Sequence, residues 1–330
     1  MTILLDILPE KMAMKRRKVY PGEVHHVCQK TEGKVVIFYS QADYLVFFSI
    51  FCTVAERMGI PILALCPMPD HLHQVCIAYS QRQLADFVRE YSRLFARAWN
   101  DSRERTGPLF HHNFCSAVKM GAKQVRTTLA YNYNNPVERK IVRQAEDYRW
   151  NFLAYARNAA PFSAPFVPRN ASKSLRNALK EAEICREEGK YLNYAQLGRW
   201  LKSLSSEERQ QLTDQLIDLW NIIDYQKAID YYGSLEGMTR AFHDNTGSEW
   251  DIPEDRDNYS DAVYADCTTL LLQKGLVGTP REIPNLSPDR KQELSRFLSG
   301  HTTATPQQIR KYLHLTQPNR PASPKIMASK

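Results

Sequence analysis

The sequence has no long apolar run and no internal repeat. Its longest apolar stretch, from Tyr44 to Ala55, covers about a dozen residues, whereas a membrane-spanning helix needs about 20. At the N-terminus an apolar stretch precedes the basic residues, which is the reverse of the order in a secretory signal. We therefore expect no membrane anchor and a cytoplasmic location.

Paired cysteines are also missing. The seven cysteines form no CxxC motif and show no zinc-ribbon spacing. An odd, scattered set in a chain of 330 residues is typical of reduced, mostly buried thiols in the cytosol. We expect neither a disulfide framework nor a structural zinc site.

The sequence has fewer acidic than basic residues, and the difference is not evenly distributed along the chain. The sequence has 44 Lys and Arg against 36 Asp and Glu, a formal net charge of +8. Residues 1–160 carry all of this excess, whereas residues 161–330 sum to zero, with −10 in 211–270 and +6 in 281–330. A basic first half is compatible with a nucleic-acid partner, although many soluble proteins have a similar charge for solubility alone. The charge therefore permits a DNA-binding function without establishing it.

Hydrophobic periodicity predicts an alternation of strands and helices in the first half. The predicted order is strand, helix, strand, strand, helix, strand, helix, at 20–30, 43–58, 60–66, 71–78, 81–103, 109–120 and 122–134. We expect Gly59 to end the first helix and Pro136 to stop the last one. Split strand pairs with interposed helices predict an α+β fold, a ferredoxin-like antiparallel sheet with its helices on one face.

The second half is predicted to be mainly helical. It follows a proline-rich stretch at 161–168, and the length of the chain allows two domains. A capping box at Ser205 begins a helix that extends to Trp220. Two short helices beginning near Ser287 and Thr305 make residues 287–315 a candidate helix-turn-helix.

His71 and His73 are the sharpest chemical feature. Alternate residues of a strand share a face, so the two imidazoles project together and can bind one divalent metal. The alternative is a pair of half-buried structural histidines. His25 and His26 are expected to be structural, and His111 and His112 are not assigned as ligands.

A second feature lies on the last predicted helix of the first half. Tyr131 and Asn135 are four residues apart and therefore share one helical face, whereas Tyr133 falls on another. An amide oxygen at 135 offers a third metal ligand, and a tyrosine one turn away offers a nucleophile. Taken alone, Tyr131 is better explained as a packed aromatic.

Together these motifs resemble the REP-associated tyrosine transposases, single-tyrosine members of the HUH (His-hydrophobe-His) single-strand nuclease superfamily. Five blocks occur in the order typical of that family and span about 40% of the chain. They are YPGEVHHV at 20–27, ILALCPMPDHLHQV at 62–75, GPLFHHNF at 107–114, YNYNNPVERKIV at 131–142 and EDYRWNFLAYA at 146–156.

The resemblance implies a role for each matching residue. His71 and His73 fall on the paired metal histidines, and Tyr131 falls on the nucleophile. Asn135 falls on the polar residue that completes the metal site. Beside the histidines, the sequence departs from the family pattern: Asp70 replaces a usual asparagine, and Gln74 replaces a usual aliphatic residue. Neither position is a ligand, so the chemical positions themselves are intact.

The implied activity is that of a metal-dependent single-stranded DNA endonuclease and strand transferase. It would use Mg²⁺ or Mn²⁺, form a 5′-phosphotyrosine intermediate and act on palindromic repeat hairpins in DNA transposition or recombination. The partner is then single-stranded or hairpin DNA, the protein is nucleoid-associated, and a monomer and a homodimer remain equally open. A domesticated DNA- or RNA-binding regulator without turnover is the alternative; a replication initiator or relaxase fits the NNPVERK context poorly.

The same interpretation divides the chain and assigns its basic residues. We predict an N-terminal arm at 1–19, the HUH tyrosine transposase domain at 20–158, a linker at 159–172 and a helical accessory region at 173–330. For the accessory region, hairpin contacts, oligomerisation and autoinhibition by the acidic 211–270 segment all remain open. Basic residues expected to contact DNA are Lys15, Arg16, Arg17, Lys18, Arg93, Arg97, Lys119, Lys123 and Arg126, with Arg103 and Arg105 in the same group.

Overall fold

Strands and helices alternate through the first half of the chain in the predicted order. The computed structural model describes residues 18–247, 252 and 259–315. The elements of the first half are β1 (Glu23–Lys30), α1 (Gln41–Met58), β2 (Ile62–Met68), β3 (His71–Ala78), α2 (Gln81–Asp101), β4 (Cys115–Lys119) and α3 (Gly121–Glu138).

The four strands form one antiparallel sheet in the order β2-β3-β1-β4. The interleaving of two strand-helix-strand units is the ferredoxin-like arrangement, and the predicted fold class is confirmed. The strand expected over 109–120 is shorter, because only Cys115–Lys119 pair with β1. Before them, Phe110 forms an isolated bridge with Thr31.

The two faces of the sheet are both covered, so the expectation of helices on one face is wrong. Leu72 and Cys76 of β3 belong to a core cluster shared with α1 and α2. Val75 and Ile77 point the other way, into a second cluster with Leu129 and other residues of α3. Because side chains alternate along a strand, the pleat of β3 divides its residues between two different environments.

α1 and α2 follow the predicted pattern closely. Ser80 caps α2 by accepting a hydrogen bond from the backbone of Gln83 at 3.0 Å. The stripe of α2 predicted from its spacing is buried, including Phe87 and Phe95. α1 ends at Gly59, whose φ of 62° is a left-handed conformation that glycine adopts without a Cβ clash.

Pro136 does not stop α3, and that prediction is wrong. The helix continues to Glu138, with Pro136 in its last turn. Beyond the proline the backbone is still held, because the amide of Arg139 donates to the carbonyl of Asn135 at 3.0 Å and that of Ile141 to Pro136 at 2.8 Å. A proline near a helix end removes one donor but leaves the following turn able to close.

The second half is helical, as expected. A helix over 206–220 begins at the capping box of Ser205, as predicted. None of the helices in the described part of the chain is both long and apolar enough to cross a membrane. The helices are α4 (Lys173–Glu187), α5 (Tyr194–Lys202), α6 (Ser206–Trp220), α7 (Tyr225–Asp230), α8 (Leu235–Asp244), α9 (Val263–Gln273), α10 (Pro288–His301) and α11 (Pro306–Leu313).

These helices share the core of the first half. α5 and α6 pack against α1. The backbone of Leu192 donates to the Ser49 hydroxyl at 3.0 Å, and the Tyr194 hydroxyl donates to Asp43 at 2.8 Å. The candidate helix-turn-helix corresponds to α10 and α11, which pack on each other, and Tyr312 of α11 is buried. A DNA-binding role for this pair stays a prediction.

All seven cysteines are free thiols, and six of them are buried. Burial raises the pKa of Cys76 to about 12, which keeps that thiol protonated. The expectation of mostly buried thiols is confirmed.

Candidate functional site

His71 and His73 lie together on the face of β3 that α3 covers. They alternate with Leu72, which points into the opposite core as expected for a central strand. Their ring centroids are 4.8 Å apart, with the rings nearly perpendicular at 85°. His73 is fully buried, whereas His71 is partly exposed at the end of the strand.

His26 of β1 joins this pair, which sequence reasoning missed. It stacks on His73 with a centroid separation of 5.3 Å, and a hydrogen bond of 3.1 Å joins its Nε2 to Nδ1 of His73. The alternation of Val24, His26 and Cys28 indicated the face of its strand. Which strand would lie beside it depends on long-range pairing, and no local pattern specifies that pairing.

Tyr131 reaches the histidines from α3. Its ring centroid lies 5.8 Å from that of His73 and 5.9 Å from that of His26, in an edge-on arrangement with both. Tyr133 instead points into the core, where its hydroxyl donates to the carbonyl of Leu63 at 3.0 Å. The predicted difference between the two tyrosines is therefore seen in the structure.

Asn135 lies one turn after Tyr131 and is buried. Its amide nitrogen donates to the carbonyl of Tyr131 at 3.4 Å, which is a long hydrogen bond within the helix. With the nitrogen used in this way, the amide oxygen is the atom that can serve as a ligand.

The electrostatics of the site favour neutral imidazole at His73. Burial lowers the pKa of His73 well below its usual range, and the neighbouring charges of His71 and His26 act in the same direction. A neutral imidazole is the form that binds a metal.

Asp70 fixes His71 from the other side. The Nδ1 of His71 donates to Oδ1 of Asp70 at 2.6 Å, and the Nζ of Lys311 donates to Oδ2 at 2.8 Å. Burial alone would raise the pKa of Asp70, but the hydrogen bonds and charges of His71 and Lys311 hold it well below its usual range. Asp70 is therefore a buried carboxylate with two partners, one of them from the far end of the chain.

The donor set fits a divalent metal. Nδ1 of His71 is engaged with Asp70 and Nδ1 of His73 with His26, so both imidazoles would coordinate through Nε2. Within residues 18–247, 252 and 259–315, no three His, Cys, Asp or Glu side chains are grouped so that they could hold a metal ion. Beside the two imidazoles, the amide oxygen of Asn135 is the further ligand expected from the sequence, and its role as a ligand stays a prediction.

The predicted DNA-contacting residues do not all lie near this site. Lys123 and Arg126 are exposed on α3, and Lys18 is exposed before β1. Arg93 and Arg97 lie on α2, behind the opposite face of the sheet, where they pair with Glu90 and Asp101. Lys119 is buried at the end of β4. Lys15, Arg16 and Arg17 lie outside the described residues, and DNA contacts stay a prediction for the whole set.

Arg103 has a different role from the one expected. Its side chain is fully buried and forms an ion pair with Asp43 at 2.7 Å. Tyr194 donates to the same carboxylate. The prediction that Arg103 contacts DNA is wrong, because its guanidinium ties the end of α2 to the start of α1.

Comparison with known proteins gives one family and two similar structures. Residues 18–135 match the model of the IS200-like transposase family. One solved structure, a REP-associated tyrosine transposase bound to a REP hairpin, is 19% identical over 44% of this chain and 87% of its own, with a TM-score of 0.40. Another, a candidate transposase from Deinococcus radiodurans R1, is 21% identical over 35% of this chain and 94% of its own, with a TM-score of 0.27. No curated protein matches the chain.

The range matched by the family model contains both histidines and ends at Asn135. It therefore covers β1 to β4 and most of α3, including Tyr131. The part of the chain that is similar to IS200-like transposases is thus the part that carries the histidines and Tyr131.

Proposed function

We propose that this transposase cleaves and rejoins a single DNA strand by transesterification through Tyr131. The observation that carries the proposal is the convergence of Tyr131 with His71 and His73, from two different elements, on one face of the sheet. A protein that only binds DNA has no need of a tyrosine held edge-on against metal-binding imidazoles.

The proposed reaction conserves the energy of the phosphodiester bond. The phenolic oxygen of Tyr131 attacks the phosphorus, the bond from phosphorus to the 3′-oxygen breaks, and a 5′-phosphotyrosine forms. The phenolic proton passes to solvent, and the departing 3′-oxygen takes up a proton to become a hydroxyl. Attack by a 3′-hydroxyl on the phosphotyrosine later restores a phosphodiester and the free tyrosine, so no nucleotide cofactor is consumed.

A divalent metal supports this role for the histidines. His71, His73 and Asn135 would hold Mg²⁺ or Mn²⁺. The metal, when bound, would polarise the phosphate and so ease attack by a phenol, which is a weak nucleophile. Imidazole and amide ligands suit Mn²⁺ at least as well as Mg²⁺.

The substrate class follows from the sequence motifs rather than from the site alone. The ordered blocks that surround the histidines and the tyrosine resemble those of transposases specific for repeat hairpins. We therefore propose single-stranded DNA that contains a palindromic hairpin as the substrate. Exposed Lys123 and Arg126, on the helix that carries Tyr131, would contact its phosphates.

Incubation with end-labelled hairpin DNA tests the proposal. With Mn²⁺ or Mg²⁺, the wild-type protein is expected to form an adduct that survives denaturant, and Tyr131→Phe is expected to form none. Tyr133→Phe is the matched control, because it removes a hydroxyl from the same helix but from the buried face. DNA binding without any adduct, across a panel of repeats and both metals, would instead indicate a non-catalytic regulator.

A further inference from the structure

The last described helix docks beside the histidine site. α11 lies against the segment that leads into α1, where the backbone of Val36 donates to the carbonyl of Lys311 at 3.1 Å. Next to it, the Tyr39 hydroxyl donates to the carbonyl of Tyr312 at 2.5 Å, and both tyrosines are buried. These contacts bring a residue from the C-terminal region to the turn that precedes β3.

Two short contacts then join Lys311 to the site. Its Nζ lies 2.8 Å from Oδ2 of Asp70, and Oδ1 of the same carboxylate accepts from Nδ1 of His71 at 2.6 Å. The side chains of Lys311, Asp70 and His71 are only 15%, 9% and 12% exposed. The backbone of Asp70 is also held, because the amide of Thr31 donates to its carbonyl at 3.3 Å.

We propose that Lys311 is a positioning residue for His71, acting through Asp70. The inference rests on the proposed function of the histidine pair. A carboxylate at position 70 holds the Nδ1–H tautomer of His71 and directs Nε2 to a metal. Because that carboxylate is buried, it requires a cation, and Lys311 supplies one. Without the cation, Oδ2 has no charged partner and the carboxylate is free to turn away from His71.

Asparagine at position 70 would need no such cation. Its amide oxygen can accept from His71 while carrying no charge. The pairing of Asp70 with Lys311 is therefore a charged substitute for a neutral hydrogen bond, and it makes the site dependent on α11. On this account, the C-terminal region completes the site.

The test uses the full-length chain with Lys311→Met and a matched control, Lys274→Met, at an exposed position after α9. Three readouts are the Mn²⁺ affinity, the initial rate of adduct formation, and the ¹⁵N ring shifts of His71 without metal. Lys311→Met is expected to weaken Mn²⁺ binding about 10-fold or more and to slow the adduct correspondingly, as is typical when an outer partner of a metal ligand is lost. In Lys311→Met, the ¹⁵N shifts of His71 are expected to change from those of the Nδ1–H tautomer to those of a mixture of both tautomers. Lys274→Met is expected to change none of the three readouts.

Rescue by a second substitution separates positioning from packing. In an Asp70→Asn background no charge remains to be compensated. Adding Lys311→Met is therefore expected to change the Mn²⁺ affinity and the ratio of the His71 tautomers by no more than about 2-fold relative to Asp70→Asn alone. A double variant as impaired as Lys311→Met, or an unchanged tautomer in Lys311→Met, would overturn the proposal. Absence of an adduct in the wild-type protein would contradict the proposed function only, since the tautomer is measured without metal or DNA.

Discussion

The two faces of the four-stranded sheet differ in what they bury. The face under α1 and α2 is lined with aliphatic and aromatic residues such as Leu72 and Phe47. The face under α3 buries His26 of β1 and His73 of β3, which contact Tyr131 of α3. Leu72 and Cys76 of β3 thus stabilise the fold through apolar burial on one face, whereas the other face carries His73, which contacts Tyr131, beside the apolar Val75 and Ile77.

The largest effect is expected from a substitution at His73, on the α3 face of the sheet. His73→Ala removes a buried imidazole that contacts both His26 and Tyr131. Removal of a side chain that supports a metal ligand typically costs roughly 10–100-fold in metal affinity or activity. Because His73→Ala removes a proposed ligand itself, we expect the yield of the adduct with hairpin DNA to decrease by more than this. Adduct yield per folded molecule, with folding checked by circular dichroism, measures this. A variant that keeps more than a tenth of the wild-type yield would remove His73 from the metal site.

The adjacent residue tests the opposite face. Leu72→Ala leaves a cavity in the core shared with α1 and α2. We expect the free energy of unfolding to decrease by about 2–5 kcal/mol, the usual cost of truncating a buried leucine. Urea denaturation measures the loss, and adduct yield per folded molecule should stay close to wild type. A variant that is stable but inactive would show that the two faces are not separable in this way.

A smaller effect is expected where the C-terminal region contacts α3. A Cβ at Gly247 would lie 2.5 Å from the backbone nitrogen of Tyr131 and 2.6 Å from the carbonyl oxygen of Thr127, and its φ is +81°. Gly247→Ala is therefore expected to displace this segment and to cost more than the roughly 1–2 kcal/mol of a left-handed alanine. Hydrogen exchange over Thr127 to Tyr131 should increase.

Gly275→Ala is the matched control for that substitution. Its φ is also positive, at +62°, but nothing lies within 4 Å of an added Cβ. Gly275→Ala should therefore lower the stability by the cost of a left-handed alanine alone, without a steric clash of the added Cβ. Equal stability and equal exchange rates in the two variants would mean that the segment does not press on α3.

The smallest effect concerns the pH dependence of stability at Asp261. Burial and the charge of Asp70 raise the pKa of Asp261 to about 6. Between about pH 4 and 6 the folded protein therefore holds a proton that the unfolded chain releases, and this contribution to stability is lost as the pH rises. The charged groups around Asp261 are Asp70, His71, Arg139 and Lys311.

Asp261→Asn removes that titration. As the pH rises from 4 to 7, the wild type is expected to lose a contribution to stability on the order of 1 kcal/mol that the variant does not lose. Urea denaturation at several pH values measures the difference. If the difference between the two proteins does not change with pH, Asp261 is not the buried acid that this account requires.

The sheet and its helices were accessible from the sequence because local patterns specify them. The apolar spacing of α2, the glycine after α1 and the capping box at Ser205 each predict a boundary that the structure has. The order of strands and helices then limits the topology to few arrangements. The position of α3 was not predicted correctly, because a helix after the last strand can pack on either face.

The contacts within the site were harder to predict. Side-chain periodicity places His71 beside His73, and Tyr131 beside Asn135, but it says nothing about the partner strand that brings His26. Lys311 is 241 residues from Asp70 in sequence, and only the docking of α11 joins them. Arg103 has a basic side chain like its neighbours on α2, and its burial against Asp43 depends on the packing of two helices.

We propose above that the α3 face of the sheet forms a DNA-cleaving site with Tyr131 as its nucleophile. Mass spectrometry of proteolysed reaction products tests it most directly, because it identifies the residue that carries the DNA. We expect a nucleotide 5′-phosphate attached to the peptide that contains Tyr131, and none on that peptide in Tyr131→Phe. Attachment to any other residue, or DNA cleavage with no attached peptide, would contradict it.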